Sequence, residues 1–224
     1  MKRKIYISIV LTLTPLLLLA NAEKLNPAIE EAYEGARHSL EIHPFEGGIE
    51  GVFPVYGKIS LQKEISFQWR GRNVSGKKPV LCLFEREKNE DCFEVVGTNK
   101  KITASQLGLR RGHAYQWYLG RMEKGKIIAQ SRVFRFTLLS QEESEKLAKE
   151  LEKTKGGLLL KGQIYYSFQM YHDMVALLEP RYKMATSEGL RKLLFLGYAR
   201  LGRHHEAKKF RGGAPKVSAP KSGR

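Results

Sequence analysis

The feature that most constrains this chain is a change of hydrophobic period at Ser140. From Val52 to Leu139 apolar residues recur at every second position. Ile65, Phe67 and Trp69 do so in "EISFQW", Tyr115, Trp117 and Leu119 in "AYQWYL", and Phe134, Phe136 and Leu138 in "VFRFTL". A period of two places alternate side chains on one face of an extended strand. "VLCLF" and "CFEVV" supply two more short apolar runs, with "GRNVSGKKP", "GTNKK", "LRRG" and "EKGK" as polar separators. Short strands at this spacing predict an antiparallel β-sandwich over residues 49–139. Beyond Ser140 the spacing turns helical. "SQEESEKLAKELEKTKGG" opens with Ser140 and Glu143, a capping-box pair that satisfies free amides at a helix start. Leu147 and Leu151 continue it as a narrow apolar stripe, and Gly156 and Gly157 offer a stop. The predicted class is α+β by segregation: an N-terminal antiparallel β-sandwich, then a C-terminal α-helical repeat region over residues 140–210.

The flanks have their own composition. Lys2, Arg3 and Lys4 precede an apolar stretch from Ile5 to Leu19 that Pro15 interrupts, and Ala20-Asn21-Ala22 follows. Residues 1–22 therefore read as a secretory signal cleaved near Ala22, which predicts export to a periplasm or the extracellular medium. Loss of Lys2, Arg3 and Lys4 takes the formal charge from +16 to +13. Residues 23–48 carry −4, and their "PAIEEAYEGARHSL" predicts a short helix that "HPFEGG" ends. Residues 211–224 combine glycine, proline, serine and +4 charge, the composition of a disordered basic tail. Cys82 and Cys92 are the two cysteines, ten residues apart around a polar centre. In an exported chain that pair favours a disulfide clipping neighbouring strands.

Two stretches resemble known families. Leu109 stands six residues before Tyr115 with Gly112 between them, and Trp69 lies on an early strand. That pattern resembles the tyrosine corner and core tryptophan of fibronectin type III domains, with Arg111 where the family favours proline. The resemblance implies that the Tyr115 hydroxyl bonds back to upstream backbone. In the helical region "GQIYYSFQMYHDMVALLEP" aligns on "FLGYARLGRHHEAKKF" at an offset of 33, Tyr165 against Tyr198 and Tyr171 against His204. This resembles a short tetratricopeptide array, whose period is close to 34. Tyr198, Gly202 and Ala207 hold motif positions in the second copy. Gly162, Tyr165, Tyr171, Leu178 and Pro180 hold them in the first, where Gln169 and Met174 replace the glycine and the alanine.

Reactive chemistry is sparse. The sequence contains no G-x-S-x-G elbow, H-E-x-x-H pair or phosphate-cradling glycine loop. His204 and His205 are adjacent, so on a helix they point about 100° apart, and with His172 they fall short of a metal-ligand set. No metal and no cofactor are expected. The expected function is that of an exported, non-enzymatic protein-binding or scaffold protein of a bacterial periplasm or envelope. Its helical groove, around Tyr165, Tyr171, Arg191 and Tyr198, would bury a segment of an envelope protein. The alternative is a polyanion-binding envelope protein, touching acidic glycan or a phospholipid surface through Lys77, Lys78, Lys100, Lys101, Arg110, Arg111 and the tail. Export argues against nucleic acid as a partner. The last repeat breaks off at Phe210, which leaves an end through which two copies would form a homo-dimer.

Overall fold

The computed structural model describes residues 24–39, 49–62, 64–71, 79–85, 91–154, 157–184 and 187–212. Residues 1–22, read above as a secretory signal, together with "HPFEGG", Lys77, Lys78, most of the tail and the centre of the Cys82–Cys92 segment lie outside these residues. A helix, α1 (Pro27–Ser39), comes first. Nine strands follow: β1 (Ile49–Phe53), β2 (Lys58–Ile59), β3 (Glu64–Gly71), β4 (Pro79–Glu85), β5 (Asp91–Glu94), β6 (Asn99–Thr103), β7 (Ala114–Glu123), β8 (Lys126–Gln130) and β9 (Phe134–Leu138). Five helices complete the described chain: α2 (Gln141–Lys153), α3 (Leu158–Ser167), α4 (Tyr171–Tyr182), α5 (Glu188–Arg200) and α6 (His204–Arg211). Strands and helices are segregated, so the chain is α+β.

The strands form two sheets, β1-β3-β6 and β2-β9-β7-β4-β5, with β8 paired to β7. All pairings are antiparallel except that of β2 with β9. Alternation decides which side chains meet between the layers. Ile65, Phe67 and Trp69 of β3 are buried, as are Tyr115, Trp117 and Leu119 of β7 and Phe134, Phe136 and Leu138 of β9. The Phe67 ring lies edge-on to Trp117 at 5.5 Å and to Phe136 at 6.2 Å, a favoured aromatic geometry. β4 is buried on both faces. Leu81 and Leu83 join the main core, while Val80 and Cys82 form a satellite cluster with Tyr118. This is why "VLCLF" shows no alternation. Cys82 and Cys92 sit opposite each other on β4 and β5 and are disulfide-bonded, with Cα atoms 4.1 Å apart.

Two local details follow from the sequence. The Tyr115 hydroxyl accepts a hydrogen bond from the Arg110 amide at 2.8 Å, with Gly112 in the left-handed region at φ +76° between them. Ser140 caps α2: its Oγ accepts from the Glu143 amide and Glu143 Oε2 accepts from the Ser140 amide, both at 3.0 Å. One separator is not a turn. Most of "GTNKK" lies in β6, an edge strand in which Ile102 faces Ile65 across the ladder. Its alternation is masked because only Ile102 is buried, while lysines occupy the two positions before it. Charged side chains on an edge strand discourage pairing with another chain.

The helices α3–α4 and α5–α6 form two antiparallel hairpins with the same turn. The Gln169 amide donates to the Tyr166 carbonyl and Met170 to Tyr165; 33 residues on, Gly202 donates to Ala199 and Arg203 to Tyr198. Gln169 adopts φ +60° where Gly202 adopts +70°. The glutamine thus takes the glycine's conformation, at a cost of about 1–2 kcal/mol from its Cβ. Met174 replaces Ala207 because Gly197 makes room for it: a Cβ on Gly197 would lie 2.6 Å from the Met174 methyl. α1 packs on α5 through Ile29 and Tyr33, both buried.

The cap at Ser140 yields a direct stability test. Ser140→Ala leaves the Glu143 amide without its acceptor and should lower the unfolding free energy by about 1 kcal/mol. Urea titration measures this as a lower midpoint with an unchanged slope.

Candidate functional site

Strands and helices meet at the 54–57 loop between β1 and β2. From the sandwich side, Trp117 Nε1 donates to the Pro54 carbonyl at 2.6 Å and the Thr137 amide to the Gly57 carbonyl at 3.0 Å. From the helical side, the Lys58 amide donates to the Gln169 carbonyl at 2.8 Å. His172 Nε2 lies 3.0 Å from the Val55 amide nitrogen and 2.8 Å from the Val55 carbonyl oxygen. The neutral ring accepts from the first or donates to the second, according to its tautomer. Tyr56 and Gly57 both have positive φ, +44° and +81°. A side chain on Gly57 would strike the Tyr171 ring at 2.8 Å as well as the Gln169 carbonyl, while the Tyr56 ring lies against Gly202. Both hairpin turns therefore seat on one loop. Two ionic ties accompany it, Arg70 to Glu206 at 2.7 Å and Lys58 to Glu143.

Beside this junction lies an open cleft of about 970 Å³. One wall is the outward face of β3, Glu64, Ser66 and Gln68, set there by the same alternation that buries Ile65, Phe67 and Trp69. The opposite wall is α4, with Asp173, Ala176 and Glu179. Val52, Phe53, Ile59 and Leu201 give the cleft an apolar floor, and Lys101 and Arg203 also line it. Several of these charges are committed within the chain. Glu179 Oε2 accepts from the Tyr198 hydroxyl at 2.6 Å. Burial and this carboxylate together hold the Tyr198 phenol well above its ordinary pKa. Arg203 pairs with Glu206 at 2.7 Å and lies over the Tyr198 ring. Burial would raise the Glu206 carboxyl, but hydrogen bonds and charge from Arg203, with help from Arg70, hold it below the ordinary value. Asp173 differs: burial pushes its pKa up against the bond from its own amide. Burial also lowers His172 to about 4, so its ring is uncharged at neutral pH.

Of the four residues expected to line a helical groove, Tyr198 and Arg191 are buried, while Tyr165 and Tyr171 are half-buried. Tyr198 is 2% exposed and stacked on Phe210 at 5.7 Å. Arg191 is 3% exposed, paired with Glu188 at 2.5 Å and lying beneath Tyr33 of α1. Tyr165 is half-buried between two apolar clusters, and Tyr171 packs against Gly57 and, at 5.6 Å, Tyr166. Amphipathic spacing marks these positions as inward-facing but does not say that α1 and the sandwich cover them. The basic residues do not converge either. Arg110 Nη2 donates to both oxygens of Glu85, at 2.8 and 3.0 Å, and Arg111 Nη1 donates to Ser144 Oγ at 3.0 Å. Lys100 and Lys101 fall on opposite faces of β6, where only Lys101 lines the cleft. Among the described residues no three His, Cys, Asp or Glu side chains are placed to hold a metal ion. His172 and Asp173 were not singled out for the cleft by sequence reasoning. The signal that existed was the polar half of the β3 alternation.

No family model matches the chain, and no curated protein matches it. Among solved structures it is similar to the crystal structure of chicken CNTN1 FN1-FN3 domains, at 14% identity and a TM-score of 0.29. The match covers 42% of this chain and 35% of that one, so this chain spans about a third of the other's length.

The burial of His172 sets a pH dependence. Its pKa is about 4 in the folded chain and about 6.5 when unfolded. Between those values the unfolded chain holds a proton that the folded chain lacks, so stability falls as the pH is lowered. The loss is complete below about 4 and is on the order of 3 kcal/mol at most. Thermal unfolding of the protein should show a falling Tm from about pH 6.5 to pH 5, and His172→Asn should flatten that slope. A wild-type Tm that is constant over this interval would refute the assignment.

Proposed function

We propose that this chain is an exported, non-catalytic binding and scaffold protein of a bacterial periplasm or envelope. In this reading a fibronectin type III-like sandwich and tetratricopeptide-like hairpins together hold a segment of a partner protein in the cleft between them. The observation that carries the reading is the cleft itself: its two walls, β3 and α4, come from the two structural parts and are held apart by a bonded junction. Its volume lies at the upper end of the range typical of ligand sites. An apolar floor with a few polar groups on the walls suits recognition by shape and anchors, without reactive groups.

Other features support the finer parts. The hydroxyl of Tyr115 on the Arg110 amide and the buried Trp69 agree with the fibronectin resemblance. The matching turns at Gln169 and Gly202 agree with the tetratricopeptide resemblance. A disulfide is characteristic of oxidising compartments, and no helix among the described residues is long and apolar enough to cross a membrane. The polyanion reading has less support, since Arg110 and Arg111 are engaged by Glu85 and Ser144.

A photo-crosslinking residue placed at Gln68, on the cleft wall, tests the reading in an envelope extract from the native host. It should give a discrete protein adduct that a crosslinker at Lys146, exposed on α2, does not give. Ala176→Arg, which fills the cleft from an exposed position of α4, should reduce the adduct at least tenfold. No adduct at Gln68, or one that persists with Ala176→Arg, overturns the reading.

A further inference from the structure

We infer, resting on the reading of the cleft as a partner site, that Asp173 is its anchor and that the seated segment carries a lysine or arginine beside apolar residues.

Most charges lining the cleft already have a counterpart within the chain. Arg203 is paired with Glu206 at 2.7 Å. Glu179 accepts from the Tyr198 hydroxyl and lies 3.7 Å from the Lys183 ammonium. On the strand wall Lys101 faces Ser66 across the ladder, which makes it the diagonal neighbour of Glu64 on the same face. A long side chain reaches such a neighbour. Asp173 has no such balance. Among the described residues no Lys, Arg or His side chain pairs with it, and its interactions are the bond from its own amide and the charge it sets near the Tyr165 phenol. A carboxylate offers about four acceptor sites, so its own amide leaves most of them open. Burial already raises the Asp173 carboxyl above its ordinary pKa. An ammonium or guanidinium entering the cleft offsets that lost solvation, whereas a second carboxylate adds repulsion to it.

The surroundings suit a long basic side chain. Asp173, Ala176 and Glu179 lie at three-residue intervals on α4 and so share one face. Ala176 is exposed and small, which leaves room on this wall between the two carboxylates. On the floor Val52 and Phe53 are only half-buried. Lysine and arginine lay their methylene stems on apolar surface of this kind while the charged head reaches a polar partner. The formal charge of the chain, +16, opposes a basic partner at long range. Physiological salt screens that field beyond about 8–10 Å, so the groups nearest the ligand decide a contact inside the cleft.

The test is an array of synthetic octapeptides probed with the fluorescently labelled protein at physiological ionic strength. The central residue is Lys, Arg, Gln or Glu, and the flanking positions are mixtures of Val, Leu, Phe and Ser. The protein should be retained at least fivefold more on the Lys and Arg pools than on the Gln pool, and least on the Glu pool. Unspecific attraction to a chain of charge +16 would give the opposite order. Asp173→Asn, which keeps the size and polarity of the side chain, should abolish the preference, and Asp173→Glu should keep most of it. Absence of a preference for the basic pools overturns the inference, as does a preference that survives in the folded Asp173→Asn protein. If Asp173→Asn does not fold, Ala176→Lys decides: an ammonium three residues from Asp173 should abolish the preference, and its persistence overturns the inference. Retention that ignores pool charge but is lost with Ala176→Arg sinks the inference and leaves the cleft reading standing. Retention on no pool also sinks it, and the crosslink at Gln68 then judges the cleft reading separately.

Discussion

The structure depends on a short loop bonded from both sides. Pro54 and Gly57 give their carbonyls to Trp117 and Thr137 of the sandwich, while Val55 and Lys58 are held by His172 and Gln169 of the helices. Each of these groups is a backbone polar atom that burial would otherwise leave unsatisfied, at a cost of about 1–3 kcal/mol apiece. Sheet and helix therefore solve each other's hydrogen-bonding problem. The left-handed backbone at Tyr56 and Gly57 is tolerated because the hairpin turns at Gln169 and Gly202 close over it.

This arrangement fixes what the surface can do. With the junction bonded, the outward face of β3 and the side of α4 stand at a set separation, and the space between them stays open as the cleft. Charged groups near it serve the junction first. Glu206 is spent on Arg70 and Arg203, and His172 is kept uncharged by burial. What remains open in the cleft is an apolar floor with carboxylates and amides on the walls. The opposite side of the helical region is covered by α1, so the two faces of the hairpins differ: one meets sandwich and cleft, the other carries a helix from the chain's own beginning.

Much of this was legible in the residues wherever a local rule governs. Period-two spacing marked Ile65, Phe67 and Trp69 as inward because a pleated strand must alternate, and Ser140 with Glu143 marked a helix start because free amides need acceptors. Cys82 and Cys92 pair as their spacing suggested. The tyrosine hydroxyl at Arg110 was legible through a family resemblance, which encodes a tertiary bond in a short pattern. Long-range burial was not legible. Nothing near Arg191 announces that Tyr33, 158 positions away, lies over it, and nothing near Val55 announces His172. Gln169 looked like a departure from the glycine of Gly202, yet the turn is the same because surrounding contacts outweigh one strained residue. The cleft was missed for a related reason: its walls are polar, and polar positions read as solvated until a second surface is found opposite them.

The central claim, that the 54–57 loop joins sandwich and helices into one cooperative body, is tested most directly by differential scanning calorimetry of the protein. A single transition is predicted, with van't Hoff and calorimetric enthalpies in a ratio of about 1. Two separable transitions, with the helices melting while the sandwich signal persists, would contradict it.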